Sequence, residues 1–323
     1  MRPVLLTFMT MLLLSAAAAA RPLVVAYVPN WIDLAAFTET IDYDKVTHLN
    51  IAFENPINDE GELSFNKEND VLIAKAKDHQ VKILISIGGG SASGDKVLLK
   101  RYARLLEAEH RADFVARLAA YVTTHQFDGL DVDLEGPSIT ADYGAFISDL
   151  ATALKPFGKL LTAALSKGYG GDKVPATIFD PIDFINIMAY DATGPWQPQT
   201  PGQHSSLDFA RENIAWWLAR GLPRNKAVLG VPFYGYGFGK AFRKGDYPYK
   251  DIVENYEHAE NADETGSTIW YNGIPTIKAK AREVVEQGLA GIMIWSLDAD
   301  TKDKRSLLTA IHETLKISLP KKP

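Results

Sequence analysis

Eight short apolar runs, each parted from the next by an amphipathic or turn-rich stretch, constrain the fold of this chain more than any other feature. They fall at residues 23–28, 46–53, 81–86, 129–135, 160–166, 184–190, 227–233 and 291–296 and are rich in Val, Ile, Leu, Phe and Tyr. Runs of this length and composition read as strands. Helical spacing lies between several of them. Tyr143, Phe146, Ile147, Leu150 and Leu154 recur on one helical face until Pro156 ends the run. Phe114, Leu118, Tyr121 and Val122 repeat the pattern upstream, as do Ile214, Trp217 and Leu218, then Val284 and Val285, then Leu307, Leu308, Ile311 and Leu315 further on. Strand and helix alternating eight times predict an α/β fold of the (β/α)8 TIM-barrel type. A doubly wound open sheet is the rival, but the glycine-rich phosphate turn expected after its first strand is replaced by Pro29-Asn30-Trp31. Neither an internal repeat nor an interdomain linker is visible. Residues 236–275, rich in Gly, Tyr, Asp and Glu, are too long for an ordinary connection and predict a short excursion between strand seven and the following helix.

Within that frame the fourth run is anomalous. Asp128-Gly129-Leu130-Asp131-Val132-Asp133-Leu134-Glu135 alternates carboxylates with apolar residues. Strand side chains alternate faces, so Asp131, Asp133 and Glu135 share one face while Leu130, Val132 and Leu134 share the other. Burying unpaired carboxylates costs roughly a few kcal/mol each, so water, a cation or a substrate must meet them. A calcium cluster would draw its oxygens from a flexible loop rather than from a strand rhythm. Glu135 closes the run, at the strand end where barrels of this type place their chemistry. Asp128 lies off that face and reads as structural.

Other strand ends carry candidate groups. Ser86-Ile87-Gly88-Gly89-Gly90 follows strand three, where glycines permit close backbone approach, and no Gly-Lys-Ser/Thr continues it into a phosphate loop. Met188-Ala189-Tyr190-Asp191 ends strand six, where the Tyr190 hydroxyl can donate to a developing negative oxygen. Trp295 ends strand eight and Trp31 follows strand one, offering flat apolar faces to a sugar ring. The seven histidines show no His-Glu-x-x-His spacing, and no Gly-x-Ser-x-Gly elbow occurs. Carboxylate chemistry without a metal or cofactor is what these residues predict.

Composition narrows the setting. Residues 1–20 hold one charge, Arg2, then an apolar run and a string of alanines, the pattern of a secretory signal peptide too short to span a bilayer. A secreted or periplasmic protein is expected, with no membrane insertion after cleavage. The chain has no cysteine, which excludes a disulfide scaffold and thiolate metal sites, so stability must come from its core. A formal net charge of −6 and no basic block before the short tail at 319–323 argue against nucleic acid and anionic membrane as partners.

The run from Phe127 to Glu135 resembles the Asp-Gly-x-Asp-x-Asp-x-Glu signature of glycoside hydrolase family 18, the chitinases and endo-β-N-acetylglucosaminidases. Tyr27 to Trp31, Ser86-x-Gly88-Gly89, Met188-x-Tyr190-Asp191, Gly194-Pro195-Trp196, Gly202-Gln203-His204-Ser205 and Trp295 agree with that family in order, so that residues 21–318 read as one catalytic domain. The resemblance implies that Glu135 is the acid and then the base, that Asp131 and Asp133 tune it, and that Tyr190 donates to the substrate's acetamido oxygen. It also implies sugar contacts from Trp295, Tyr27, Met188, Asp191, Tyr234 and Trp31. Asp133 lies on the same strand as Glu135, roughly 7 Å along it, and so does not face it across a sugar ring. The implied nucleophile is the substrate's own 2-acetamido oxygen, the known exception to the two-carboxylate rule. The expected reaction is cleavage of β-1,4 bonds beside N-acetylglucosamine in chitin or chitooligosaccharides, with retention. A glycan-directed endo-β-N-acetylglucosaminidase and a chitin-binding lectin without turnover stay open. The partner is an N-acetylglucosamine-containing oligo- or polysaccharide, and a monomer is expected. Leu134, Gly136 and Gly90 stand where many chitinases carry aromatic residues, which implies a shallower cleft.

Overall fold

A computed structural model describes residues 21–318 apart from Ser267. The expected signal peptide at 1–20 and the basic tail at 319–323 lie outside the described residues. In chain order the strands are β1 (Leu23–Pro29), β2 (His48–Ala52), β3 (Lys82–Gly88), β4 (Gly129–Asp133), β5 (Leu160–Leu165), β6 (Phe184–Ile187), β7 (Ala227–Pro232), β8 (Tyr234–Gly237), β9 (Tyr247–Pro248), β10 (Glu264–Thr265), β11 (Ile269–Trp270) and β12 (Gly291–Trp295). Eight of them close a barrel in the order β1-β12-β7-β6-β5-β4-β3-β2. Every neighbouring pair in it is parallel, so all eight C-terminal ends open on one face. This is the (β/α)8 TIM barrel the alternating runs predict.

The strand rhythm sorts the core into two layers. Val24, Ala26, Leu49, Ile51, Ile83, Ile85, Leu130 and Val132 point outward and pack, all fully or almost fully buried, beneath the helices. Val25, Tyr27, Ala164, Val228 and Met293 point inward. Helix Tyr143–Leu154 covers the barrel with Tyr143, Phe146, Ile147, Leu150 and Leu154, the stripe its spacing predicts. It stops where Lys155-Pro156-Phe157 tightens into a 3-10 turn and Gly158 takes a left-handed φ of 61°. Each fully buried Leu or Phe of this layer contributes about 1.5–3 kcal/mol of apolar transfer free energy.

Strict alternation fails once. Between β5 and β6 there is no α-helix, only the 3-10 turns Gly171–Lys173 and Ala176–Phe179. Gly168, Gly170, Gly171 and Pro175 crowd this connection, and glycine entropy and the missing proline donor both oppose a helix there. The excursion after β7 begins at Tyr234, two residues before the expected start. It forms an antiparallel sheet in the order β10-β11-β8-β9, with helix Tyr249–Asn255, before helix Ile274–Glu286 returns to the barrel.

Candidate active site

The carboxylate face of β4 points into the barrel, and polar side chains from four other strands meet it there. Asp131 is 0% exposed. Its Oδ2 accepts from the Tyr27 hydroxyl at 2.6 Å and from Ser86 Oγ at 2.7 Å; its Oδ1 accepts from Thr162 Oγ1 at 2.5 Å and from Asn186 Nδ2 at 3.4 Å. Burial raises its pKa, while these four hydrogen bonds favour the charged form and hold the rise back. Asp131 does not line the cavity; its four hydrogen bonds fix it beneath the next carboxylate. Asp128 is on the other end of β4, accepting from Ile83 N and Lys82 Nζ at 2.9 Å each, which fits its structural reading.

Asp133, 4% exposed, is the opposite case. Its Oδ1 is buried with no hydrogen-bond partner among the described residues. Burial first, then the charges of Glu135 and Asp131, raise its pKa well above the carboxylate range. A buried carboxyl that keeps a proton can donate as well as accept, and Asp133 lines the cavity where it could do either. The Gly88-Gly89 turn secures its backbone: Gly89 N donates to Asp133 O at 2.8 Å, and a Cβ on Gly88, whose φ is 104°, would collide with that same oxygen. Only glycine tolerates both the conformation and the contact.

The ladder ends at Asp133, yet Glu135 keeps an extended backbone with φ −127° and ψ 155° and so stays on the Asp133 side. Burial and then the charge of Asp191 push its carboxyl up to about 7. Such a group holds a proton near neutral pH and can give it up. Glu135 sits where two cavities meet. One, of about 560 Å³, is also lined by Asp133, Tyr190, Tyr234 and Trp295. The other, of about 860 Å³, is lined by Tyr169, Trp196 and Phe209. Met188, Tyr190 and Asp191 border both.

Tyr190 is buried to 9% exposure and lines both cavities. Burial and the surrounding carboxylates raise its pKa, so it remains a neutral donor. Asp191 follows with a φ of 63°, an uncommon backbone for a residue other than glycine. Its Oδ1 accepts from the Tyr234 hydroxyl at 2.5 Å and the Tyr236 hydroxyl at 3.1 Å. Trp295, half-buried at the end of β12, lies in a stacked run of rings: its centroid is 5.7 Å from Phe53, which is 6.4 Å from Trp31. Trp31 is 65% exposed and forms the outer end of that shelf.

Most of the residues expected at the site thus converge on it: Glu135, Asp133, Tyr190, Trp295, Met188, Asp191, Tyr234 and Trp31 line the first cavity. Tyr27 does not. It is 1% exposed, its hydroxyl is bonded to Asp131, and its ring packs against Trp295 at 5.4 Å, so it supports Trp295 rather than lining the cavity. Sequence reasoning missed Phe53, Tyr236 and Tyr169. Phe53 follows β2 and was findable by the strand-end rule that exposed Trp295. Tyr169 had no such signal. Its ring covers Gly136, where a Cβ would collide with it, and Gly136 N donates to Tyr169 O at 3.1 Å. The small residue after Glu135 therefore leaves no gap, because an aromatic from the next loop fills the space. At Gly90, by contrast, nothing lies within 4 Å of the position a Cβ would take.

Comparison with known proteins agrees with this geometry. The model of the family described as Glycosyl hydrolases family 18 matches residues 23–300. Mouse chitotriosidase-1 is 29% identical over 90% of this chain and 76% of its own length. The crystal structure of the GH18 chitinase ChiB from the chitin utilization locus of Flavobacterium johnsoniae superposes with a TM-score of 0.85 and 36% identity, covering 91% of this chain and 94% of that one. A GH18 chitinase from Cycas revoluta, solved in complex with (GlcNAc)3, shares the fold with a TM-score of 0.77 at 24% identity over 90% of this chain and 99% of its own.

Proposed function

The chain belongs to glycosyl hydrolase family 18 and is a glycosidase, and from that premise we propose that it cleaves β-1,4 bonds beside N-acetylglucosamine, in chitin or chitooligosaccharides, by retaining, substrate-assisted catalysis. The observation that carries this reading is the pairing of two groups beside Glu135 on the wall of one cavity with Trp295: the buried Oδ1 of Asp133, which has no partner among the described residues, and the Tyr190 hydroxyl. An acetamido group complements both. Its N–H suits the Asp133 oxygen, and its carbonyl oxygen suits the Tyr190 hydroxyl.

In the first step the Glu135 carboxyl gives its proton to the glycosidic oxygen while the acetamido oxygen attacks the anomeric carbon from the other face. The C–O bond breaks, the leaving sugar departs as an alcohol, and an oxazolinium ion forms. Asp133 accepts from the acetamido N–H, orienting the group and stabilising the ion through that hydrogen bond. In the second step the Glu135 carboxylate takes a proton from a water that opens the ring at the anomeric carbon. Two inversions leave the original configuration. Trp295 and Phe53 give the sugar an apolar floor, and the cavities on either side of Glu135 suit a chain that passes through the site.

Proton NMR of the product in the first minutes of chitooligosaccharide digestion tests this. The β-anomer should appear first; an α-anomer would mean inversion and would refute the mechanism. Product masses from a high-mannose glycopeptide, run beside it, separate chitooligosaccharide cleavage from glycan cleavage, and binding without any product would leave a lectin. We also read residues 1–20 as an export signal and the protein as a monomer acting outside the cytoplasm. Among the described residues no helix is long and apolar enough to cross a membrane.

A further inference from the structure

Behind the Tyr190–Asp191 corner lies a buried lysine that the mechanism above does not use. Lys280, on helix Ile274–Glu286, is 0% exposed. Its Nζ donates to Ser205 O at 2.7 Å, to Ser205 Oγ at 2.7 Å and to Asn272 Oδ1 at 2.6 Å. All three acceptors are uncharged oxygens. Burial pushes the ammonium down to about 7, and the charge of Asp263 opposes that fall. Asp263 itself accepts from Gly273 N at 2.8 Å and Thr276 Oγ1 at 2.6 Å, on the same return from the excursion. An apolar side chain of the same length would sit here at less cost, since a buried charge without a charged partner is unfavourable.

What a lysine supplies is three donors from one point and no acceptor. That one-sidedness fixes the next hydrogen bond. Because Lys280 donates to Ser205 Oγ, the single hydroxyl hydrogen of Ser205 is turned away from it, and it donates to Ala189 O at 2.6 Å. The neighbouring residue of the same loop, His204, accepts from Asp191 N through Nδ1 at 3.4 Å and from Ala192 N through its carbonyl at 3.0 Å. Ala189, Asp191 and Ala192, which bracket Tyr190, are thus held by a loop that Lys280 ties to Asn272. The segment needs such a hold, because Asp191 keeps a left-handed φ that is unfavourable outside glycine.

We infer that Lys280 is a positioning residue for the reaction: acting through Ser205, it holds the Tyr190–Asp191 corner in the shape that meets the acetamido group. This rests on the proposed function of the same site. Lys280 touches no substrate. Its loss should lower kcat while leaving KM little changed, because Tyr190 would still be present but displaced when the acetamido oxygen attacks.

The test is steady-state kinetics on a chitooligosaccharide with the full-length enzyme and the variants Lys280→Met, Ser205→Ala, Tyr190→Phe and Lys280→Met combined with Tyr190→Phe, each with its melting temperature. We expect Lys280→Met to lower kcat about tenfold with KM within about threefold, and to lower it less than about twofold when Tyr190 is already Phe. Ser205→Ala, which keeps the lysine and removes only the hydroxyl relay, should lower kcat several-fold at an almost unchanged melting temperature, and it carries the test if Lys280→Met does not fold. Unchanged kcat in folded Lys280→Met or in Ser205→Ala, or fully multiplicative losses in the double variant, would overturn the inference while leaving the glycosidase reading intact. A wild-type enzyme without turnover on these sugars would overturn both.

Discussion

Two carboxylates two residues apart on one strand have been given different tasks by their partners. Asp131 has four donors and is fixed; Asp133 has none on Oδ1 and is free to bond a ligand. Glu135 stands at the edge of this group with its carboxyl pushed up to about 7 by burial and by Asp191. Three outcomes follow at this scale. Glu135→Gln should lower kcat by about 10³-fold or more while oligosaccharide binding, measured by tryptophan fluorescence, stays within a few-fold, since the amide keeps the shape and loses the proton. An unimpaired rate would remove Glu135 from the mechanism. The acid works only while protonated, so kcat/KM should fall as pH rises through about 7. The negative charge of Asp191 helps to raise that value, so Asp191→Asn should move the alkaline limb to lower pH; a limb that stays in place would assign it to another group.

Elements place these residues, and they also explain what could be foreseen. Strand period two is a strong signal, so β4 and its inward face were legible, as were Tyr190 and Trp295 at strand ends. Glu135 was legible although its strand stops at Asp133, because the backbone stays extended. The roles of Tyr27 and Tyr169 were not, for a shared reason. Each depends on which neighbour occupies a particular volume, and that is set by packing between strands or loops far apart in sequence. Tyr27 looked like a sugar contact until Asp131 proved to bind its hydroxyl. Gly136 implied a missing aromatic wall until Tyr169, from the connection after β5, proved to cover it. That connection lacks the expected helix and carries instead the ring, 47% exposed, that lines the wider cavity beside Glu135. Tyr169→Ala should therefore weaken kcat/KM about tenfold for substrates whose leaving group is a sugar, roughly the value of one aromatic contact, and change it little for a glycosyl fluoride of the same donor. Equal losses on both would place Tyr169 outside the leaving-group side.

At the scale of the whole molecule, the barrel solves the problem that an acidic strand poses. Neighbours on both sides of β4 turn Ser86, Thr162 and Asn186 inward, and the parallel closure brings all eight C-terminal ends to one mouth. The excursion after β7 then adds Tyr234 and Tyr236 as a side wall, and its return supplies the Lys280 clamp. The proposed mechanism rests on one step: the acetamido group of the substrate, and no protein side chain, attacks the anomeric carbon. The most direct measurement compares two chitooligosaccharides that differ only at the sugar whose bond is cut, one N-acetylated there and one carrying a free amine. The enzyme should release product from the first and almost none from the second. Equal rates on the two would contradict substrate assistance, whatever the fold.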